Sequence, residues 1–347
     1  PVVDPNGHYQ RDMEIVQLED GGKQTSQKNW YTQQLQAIFE PVKDWRIVAE
    51  GSMRSYYRKQ SWAVLPIYAY DAKNEPYLLS WNGGAAGYSE VSDSREDEDY
   101  FSTNIYSDYT KSLGNHNFKV MAGFNAELYR PSGLNGFGTD LISADVPSLG
   151  LTQDNKKASS WARERAIAGF FGRINYNYAD RYMLEANLRY DGSSRFGTDK
   201  RWGFFPSASL GWRFSDEVFM KWMKPVVSDS KLRLSYGVTG NQVAGNFSSL
   251  GLYTTNFYAD MPGIYPNQLE NRNLGWEQTQ QYNIGLDVSV LDGRIGLIAD
   301  YYNKKTSDVL YQVKLPQTSG FSSSYQNIGD VKNTGWEITV NSTNIKT

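Results

Sequence analysis

The sequence predicts an all-β, antiparallel up-and-down transmembrane β-barrel, and three observations carry that prediction. Apolar and polar residues alternate with period two over about eleven segments. The links between those segments are short and long by turns, and aromatic residues gather at or near segment ends. A strand with lipid on one side and a wet lumen on the other needs this two-faced pattern.

Taken in order, Trp45, Ile47, Ala49, Gly51 and Met53 share a face opposite Arg46, Glu50, Ser52 and Arg54. Phe118, Val120, Ala122, Phe124 and Ala126 oppose Asn117, Lys119, Asn125 and Glu127. Over 166–178, Ala166, Ala168, Phe170, Ile174, Tyr176 and Tyr178 stand against Arg173, Asn175 and Asn177. Tyr182, Leu184, Ala186, Leu188 and Tyr190 follow, with Glu185, Asn187, Arg189 and Asp191 opposite; next come Phe204, Ala208, Leu210, Trp212 and Phe214. Leu232, Leu234, Tyr236 and Val238 make another such face. A long segment then carries Trp276, Tyr282, Ile284, Leu286, Val288 and Val290, and the last puts Trp336, Ile338 and Val340 over Glu337, Thr339 and Asn341.

Short links at 40–44, 113–116, 178–181 and 291–294, with 215–230 as a longer member of the same side, alternate with long loops near 59–99, 128–164, 192–202, 241–275 and 304–334. The Asp292-Gly293 pair suits a tight hairpin turn. Loops sorted in this way place short turns in the periplasm and long loops outside the cell. Trp30, Trp45, Tyr178, Tyr182, Tyr190, Trp202, Trp212, Phe214, Trp276, Tyr301, Tyr302 and Trp336 read as interfacial girdles. Hairpin-end packing in a soluble β protein would place rings similarly, but the segments reach the length a tilted strand needs to cross a bilayer, about 9–11 residues.

Composition agrees. Of 347 residues, 14% are aromatic, and Tyr (25), Trp (10) and Gly (31) are abundant. No apolar run is long enough for a membrane helix. A net charge of -3 lacks the basic footprint of nucleic-acid binding. The absence of cysteine removes disulfides and thiolate metal sites. The first residues, PVVDPNGHYQ, have no signal-peptide pattern, so the expectation is a cytoplasmic protein, a mature product or an excerpt.

Several blocks carry a family resemblance: RYMLEANLRYDGSSRFGTDKRWGFFPSASLGWRFSDE, KLRLSYGVTGNQ, NLGWEQTQQYNIGLDVSVLDGRIGLIADYYNKKTSDVLY, NTGWEITVN, and the earlier hairpin YFSTNIYSDYTKSLGNHNFKVMAGFNAE. In this order they resemble the barrel of SusC/RagA-type TonB-dependent transporters of Bacteroidetes, over residues 30–345. The resemblance implies a multi-pass outer-membrane barrel of about 22 strands, an N-terminal plug, a SusD-like surface lipoprotein as lid, and uptake of oligosaccharides or oligopeptides energised by TonB. On that reading residues 1–347 are a partial barrel domain, and the plug, the TonB-contacting segment and the final strands lie outside it.

Nothing in the sequence assembles an enzyme, a metal centre or a cofactor site. The two histidines, His8 and His116, read as solvated loop and turn residues. GSSRFGTDK (192–200) lacks the Lys-Ser/Thr of a phosphate loop and lies between strands. DSREDEDY (93–100) has no turn glycine for a calcium loop and reads as a solvated loop tip. Among the loop aromatics, Trp81, Tyr88, Tyr253, Phe257, Tyr258 and Tyr265, with Phe137, are candidates to stack on a substrate; packing against a lid would use the same rings. Three functions stay open: a TonB-dependent importer, a passive porin or structural barrel, and a soluble β-rich carbohydrate-binding protein.

Overall fold

The computed structural model describes residue 7 and residues 14–344 apart from 72, 74 and 80–84, so His8 and Trp81 lie outside the described residues. A short helix, α1 (Glu14–Asp20), precedes β1 (Gly22–Val42), β2 (Trp45–Val64), β3 (Tyr68–Tyr70), β4 (Pro76–Leu78), β5 (Glu90–Leu113) and β6 (His116–Leu141). Then come β7 (Thr152–Ala162), β8 (Arg165–Tyr178), β9 (Tyr182–Ser193), β10 (Trp202–Trp212), β11 (Val227–Asn241) and β12 (Leu252–Tyr258). The rest are β13 (Met261–Gln268), β14 (Glu277–Val290), β15 (Ile295–Ser307), β16 (Leu310–Lys314), β17 (Ser323–Asn327) and β18 (Val331–Ser342). Among the described residues one sheet runs β1-β2-β5-β6-β8-β9-β10-β11-β14-β15-β18, with β7 paired to β6; the pairs β12-β13, β16-β17 and β3-β4 are separate ribbons.

Two compact units share this chain. The first comprises residues 1–33, 53–101 and 129–164, the second 34–52, 102–128 and 165–347. In the first, Val16 of α1, Val64, Ile67, Ala69 and Val91 are each buried. The second holds the regular meander from β8 to β18, antiparallel at every step.

Register in the meander sorts the side chains into rows. Tyr176, Leu184, Leu210, Leu234, Ile284, Tyr301 and Trp336 are successive cross-strand partners on one face. Asn175, Glu185, Ser209, Ser235, Asn283 and Tyr302 form the matching row on the other. Leu184 keeps 38% and Leu210 52% of its surface exposed. Among the described residues no protein layer covers these side chains, which face outward as a continuous apolar belt; a belt of this kind is stable only against hydrocarbon.

Rings bound the belt at both ends. Near the short turns Phe118 and Tyr176 lie 4.8 Å apart and Tyr178 and Tyr182 6.2 Å apart, and Trp212 meets Phe214 at 5.7 Å. His116 joins this group through Tyr176, its Nδ1 2.9 Å from the Tyr176 hydroxyl. Toward the other end Phe124 and Phe170 meet at 5.1 Å, and Tyr190 and Trp202 at 4.9 Å. On β9 the stretch from Tyr182 to Tyr190 is about 26 Å long at the strand rise, or about 20 Å along the membrane normal at a tilt of about 40°.

The turns are built at positive φ, which the glycines and aspartates accept readily and Ala179 and Leu291 adopt under strain. Asp44, Ala179, Asp180, Leu291 and Asp292 all sit there, with Gly114 and Gly293. At 178–182 the strain on Ala179 is offset by a local clasp: the Asn177 amide donates to Asp180 at 2.6 Å, and the Asp180 N–H returns a bond to Asn177 Oδ1 at 2.9 Å.

Several expectations need correction. The loop placed at 59–99 is strand at both ends, because β2 runs to Val64 and β5 begins at Glu90, with the short β3 and β4 between them. DSREDEDY is therefore no loop tip: it lies in β5, where Ser61 donates to Asp93 at 2.6 Å, Arg58 pairs with Glu96 at 2.6 Å, and Ser55 donates to Asp99 at 2.5 Å. Likewise 128–164 holds the end of β6 and all of β7. Trp30, Tyr301, Tyr302 and Trp336 lie inside strands rather than at their ends. Trp276 precedes β14 and packs against Phe196 and Phe205 at 5.3 and 5.2 Å, so it belongs to a loop core and not to a girdle.

Candidate functional site

The wet face of the meander is a lattice of paired charges and amides. Arg233 on β11 grips Asp287 with two bonds, Nε to Oδ2 at 2.9 Å and Nη2 to Oδ1 at 2.8 Å, and reaches Asp300 on β15 at 3.2 Å. That reach crosses β14 at Gly285, the register partner of both Arg233 and Asp300. A Cβ at Gly285 would collide with the Asp300 carboxylate and lie 2.6 Å from the guanidinium carbon of Arg233. Glycine is thus required there by close approach.

A second cluster repeats the device. Arg189 binds Asp191 at 3.0 and 2.8 Å and Asn125 at 3.2 Å, and lies over the Phe171 ring at 5.7 Å. Asp191 overhangs its partner Gly169, where a Cβ would strike its carboxylate. Between the clusters Glu185 accepts from Asn175 at 2.7 Å and Asn187 at 2.8 Å, and Arg173 donates to Asn187 at 2.6 Å. Half-exposed pairs of this kind contribute about 0.2–1 kcal/mol each. Their chief effect is to hold donors and acceptors in fixed positions along a solvated wall.

The long loops of the second unit pack into a core of their own. Phe196, Ala244 and Leu274 are buried together under Trp276, Leu310 and Tyr325. Arg195 ties this core down, donating to the Gln242 carbonyl at 2.5 Å and to Asn246 at 3.1 Å, while Ser249 donates to the Arg195 carbonyl at 3.1 Å. Burial, and the like charge of Arg165, pull the Arg195 pKa down. Asn271 and Asn327 stitch the remaining loops, and the Gln268 amide donates to the carbonyls of Phe247 and Leu250 at 2.9 and 2.7 Å.

That core carries the hairpin β12-β13, which gathers four of the six candidate rings. Tyr253, Phe257 and Tyr258 are 71%, 73% and 82% exposed, and Tyr265 about half exposed. Register divides them: Tyr253 and Phe257 share one face of the ribbon with Ile264, and Tyr258 and Tyr265 share the other with Met261. A single flat ligand therefore meets two of these rings, not four. Tyr88 belongs to the first unit, where its hydroxyl donates to Glu90 and its pKa is pushed up to about 12 by burial first and that carboxylate second. Phe137 lies within β6, opposite Lys157 of β7. Trp81 is outside the described residues.

The wall chemistry, the belt and the loop cap agree with what the sequence is similar to. A profile of the family described as TonB dependent receptor-like, beta-barrel matches residues 4–344. The chain belongs to that family. As a TonB-dependent receptor barrel it is an outer-membrane protein, in a class of receptors and transporters rather than enzymes. It is 37% identical over 277 residues to the TonB-dependent receptor SusC of Bacteroides thetaiotaomicron, covering 77% of this chain and 26% of SusC. It is 39% identical over 248 residues to the TonB-dependent receptor P39 of Formosa agariphila, covering 69% of this chain and 23% of that receptor. The chain thus spans about a quarter of the length of the curated relatives it matches. A solved structure of the RagAB peptide importer in the closed-closed state shares the fold, with a TM-score of 0.84 and 24% identity over 95% of this chain and 35% of that one.

The lattice of Arg233, Asp287, Asp300 and Gly285 was not singled out from the sequence. Its available signal was the recurrence of Gly at wet-face positions of adjacent segments, such as Gly285 beside Arg233 and Gly169 beside Asp191.

Proposed function

We propose that this chain supplies part of the wall and the extracellular loops of an energised importer of oligosaccharides or oligopeptides. In this reading residues 1–347 are a partial barrel domain, and a plug and TonB-contacting segment of the same polypeptide lie outside it. The wall does no covalent chemistry. Its fixed charges wet the pathway and hold the plug, while the hairpin β12-β13 presents rings to substrate or to a SusD-like lipoprotein that closes the mouth. The observation that carries the proposal is the wet face itself, where Arg233, Asp287 and Asp300 are locked across three strands in a family that takes its energy from TonB.

A strain lacking the full-length gene, complemented with the wild type, tests this by uptake of fluorescent oligosaccharide and oligopeptide mixtures. Import predicts that uptake fails in the deletion strain and fails again when TonB is removed. Uptake that survives without TonB would instead make the protein a passive porin.

A further inference from the structure

Between β10 and β11 the chain leaves the wall through Phe214–Asp216 and Val218–Met223, two short 3-10 turns. This segment carries four large apolar side chains in the open: Val218 at 72%, Phe219 at 57%, Trp222 at 77% and Val226 at 55% exposure. A turn that merely crossed between strands in water would leave such residues as a liability.

Four contacts place the segment on the lipid side of the wall end. Trp212, on the apolar face, meets the rings of Phe214 at 5.7 Å and Phe219 at 6.3 Å. Glu217 accepts from the Tyr182 hydroxyl at 2.5 Å and from Trp212 Nε1 at 3.2 Å, clasping the segment to two girdle residues. Ser230, whose partner Val288 belongs to the apolar face, is 1% exposed. At its root the segment stays tied to the strand end, where the buried Ser215 donates at 3.1 Å to Asp229, a residue in register with the wet face. Beside Trp212 the belt holds an apolar hollow of about 430 Å³, lined by Tyr176, Tyr182, Leu184, Leu210, Leu232 and Leu234. Lys221 and Lys224 lie among the exposed apolar residues, with Lys224 3.4 Å from Asp216.

We propose that residues 214–226 form a lipid anchor that lies in the periplasmic interface of the membrane and seats a glycerophospholipid. Val218, Phe219 and Trp222 enter the headgroup–acyl boundary, an acyl chain occupies the hollow beside Trp212, and Lys221 and Lys224 meet the phosphate. The surface is continuous with the apolar belt, which decides for lipid over a protein partner. Aliphatic and aromatic side chains flanked by lysine are the composition that binds an interface without crossing it. The proposal rests on the membrane reading of the wall and is independent of what the barrel imports.

The full-length polypeptide, with any cysteine outside this chain replaced by serine, is reconstituted in phosphatidylethanolamine–phosphatidylglycerol vesicles containing doxyl-labelled lipid. An NBD label is placed in turn through Trp222→Cys, Leu184→Cys and Asp292→Cys, with Val218→Cys as a second anchor position should the first variant fail to assemble. The expected result is strong quenching at 184, little at 292, and at 222 or 218 at least about half the quenching seen at 184. Quenching at 184 with the anchor labels behaving like 292 overturns the anchor alone. Absence of quenching at 184 overturns the membrane reading and the anchor with it.

Discussion

Two regions of the second unit use the same large apolar residues in opposite ways. In the meander, Leu188, Leu210 and Ile284 stand half exposed on one face, whereas in the loops Phe196 and Leu274 are sealed. The loops have a core because side chains converge there from three connections; the wall has none because its strands lie one layer deep. What completes the wall is therefore lipid, and what completes the loop cap is protein.

The largest effect falls on the sealed region. Phe196→Ala removes a buried ring, at a cost of about 3–5 kcal/mol. Hydrogen exchange should show lost protection across 242–276 with β9–β11 unchanged; equal loss in the strands would mean that the two regions are not separable. On the open face Leu210→Arg places a guanidinium in hydrocarbon and costs about 2–4 kcal/mol, while Ser209→Arg, one residue away on the wet face, should leave stability within about 0.5 kcal/mol. Denaturant titration of the full-length protein in vesicles compares the two.

Gly285→Ala sharpens the same contrast within the wet face. Overpacking the Arg233–Asp300 crossing costs about 1–3 kcal/mol, and Asp300→Ala on that background should restore part of the loss by removing the nearest obstructing side chain. The smallest effect is a pH response at Glu217, whose carboxylate is held below the ordinary range by the Tyr182 hydroxyl first and the Trp212 N–H second. With a depressed folded pKa, this contribution is complete above the unfolded glutamate value and is lost as pH falls through the lower folded value. A fluorophore at residue 219 should therefore report constant emission from pH 7 to about 5 and a change below it, and Glu217→Gln should abolish that change.

Much of the wall was readable from the chain because membrane and lumen impose period two. The faces of Tyr182–Tyr190 and Leu232–Val238, the Asp292-Gly293 turn and the placement of 192–200 between strands all follow from alternation and turn chemistry. Alternation disappears where both faces of a strand are polar, as in residues 93–99 of β5, where carboxylates are paired instead with Ser55, Arg58 and Ser61. Trp276 misled for a related reason: its phase fits the lipid face, but the buried Phe196 and Phe205 draw it into the loop core. The four hairpin rings were found as loop aromatics, yet their division between two faces needed the Tyr253–Pro266 register.

The central claim is that even-numbered residues of β9 meet hydrocarbon and odd-numbered ones meet water. Single cysteines placed at each position from 183 to 190 of the full-length protein in vesicles, with any cysteine outside this chain replaced by serine, are challenged with a charged thiol reagent and test it directly because this chain has no cysteine of its own. The account predicts rapid labelling at 185, 187 and 189 and protection at 184, 186 and 188. Uniform labelling, or protection on the odd positions, would contradict it.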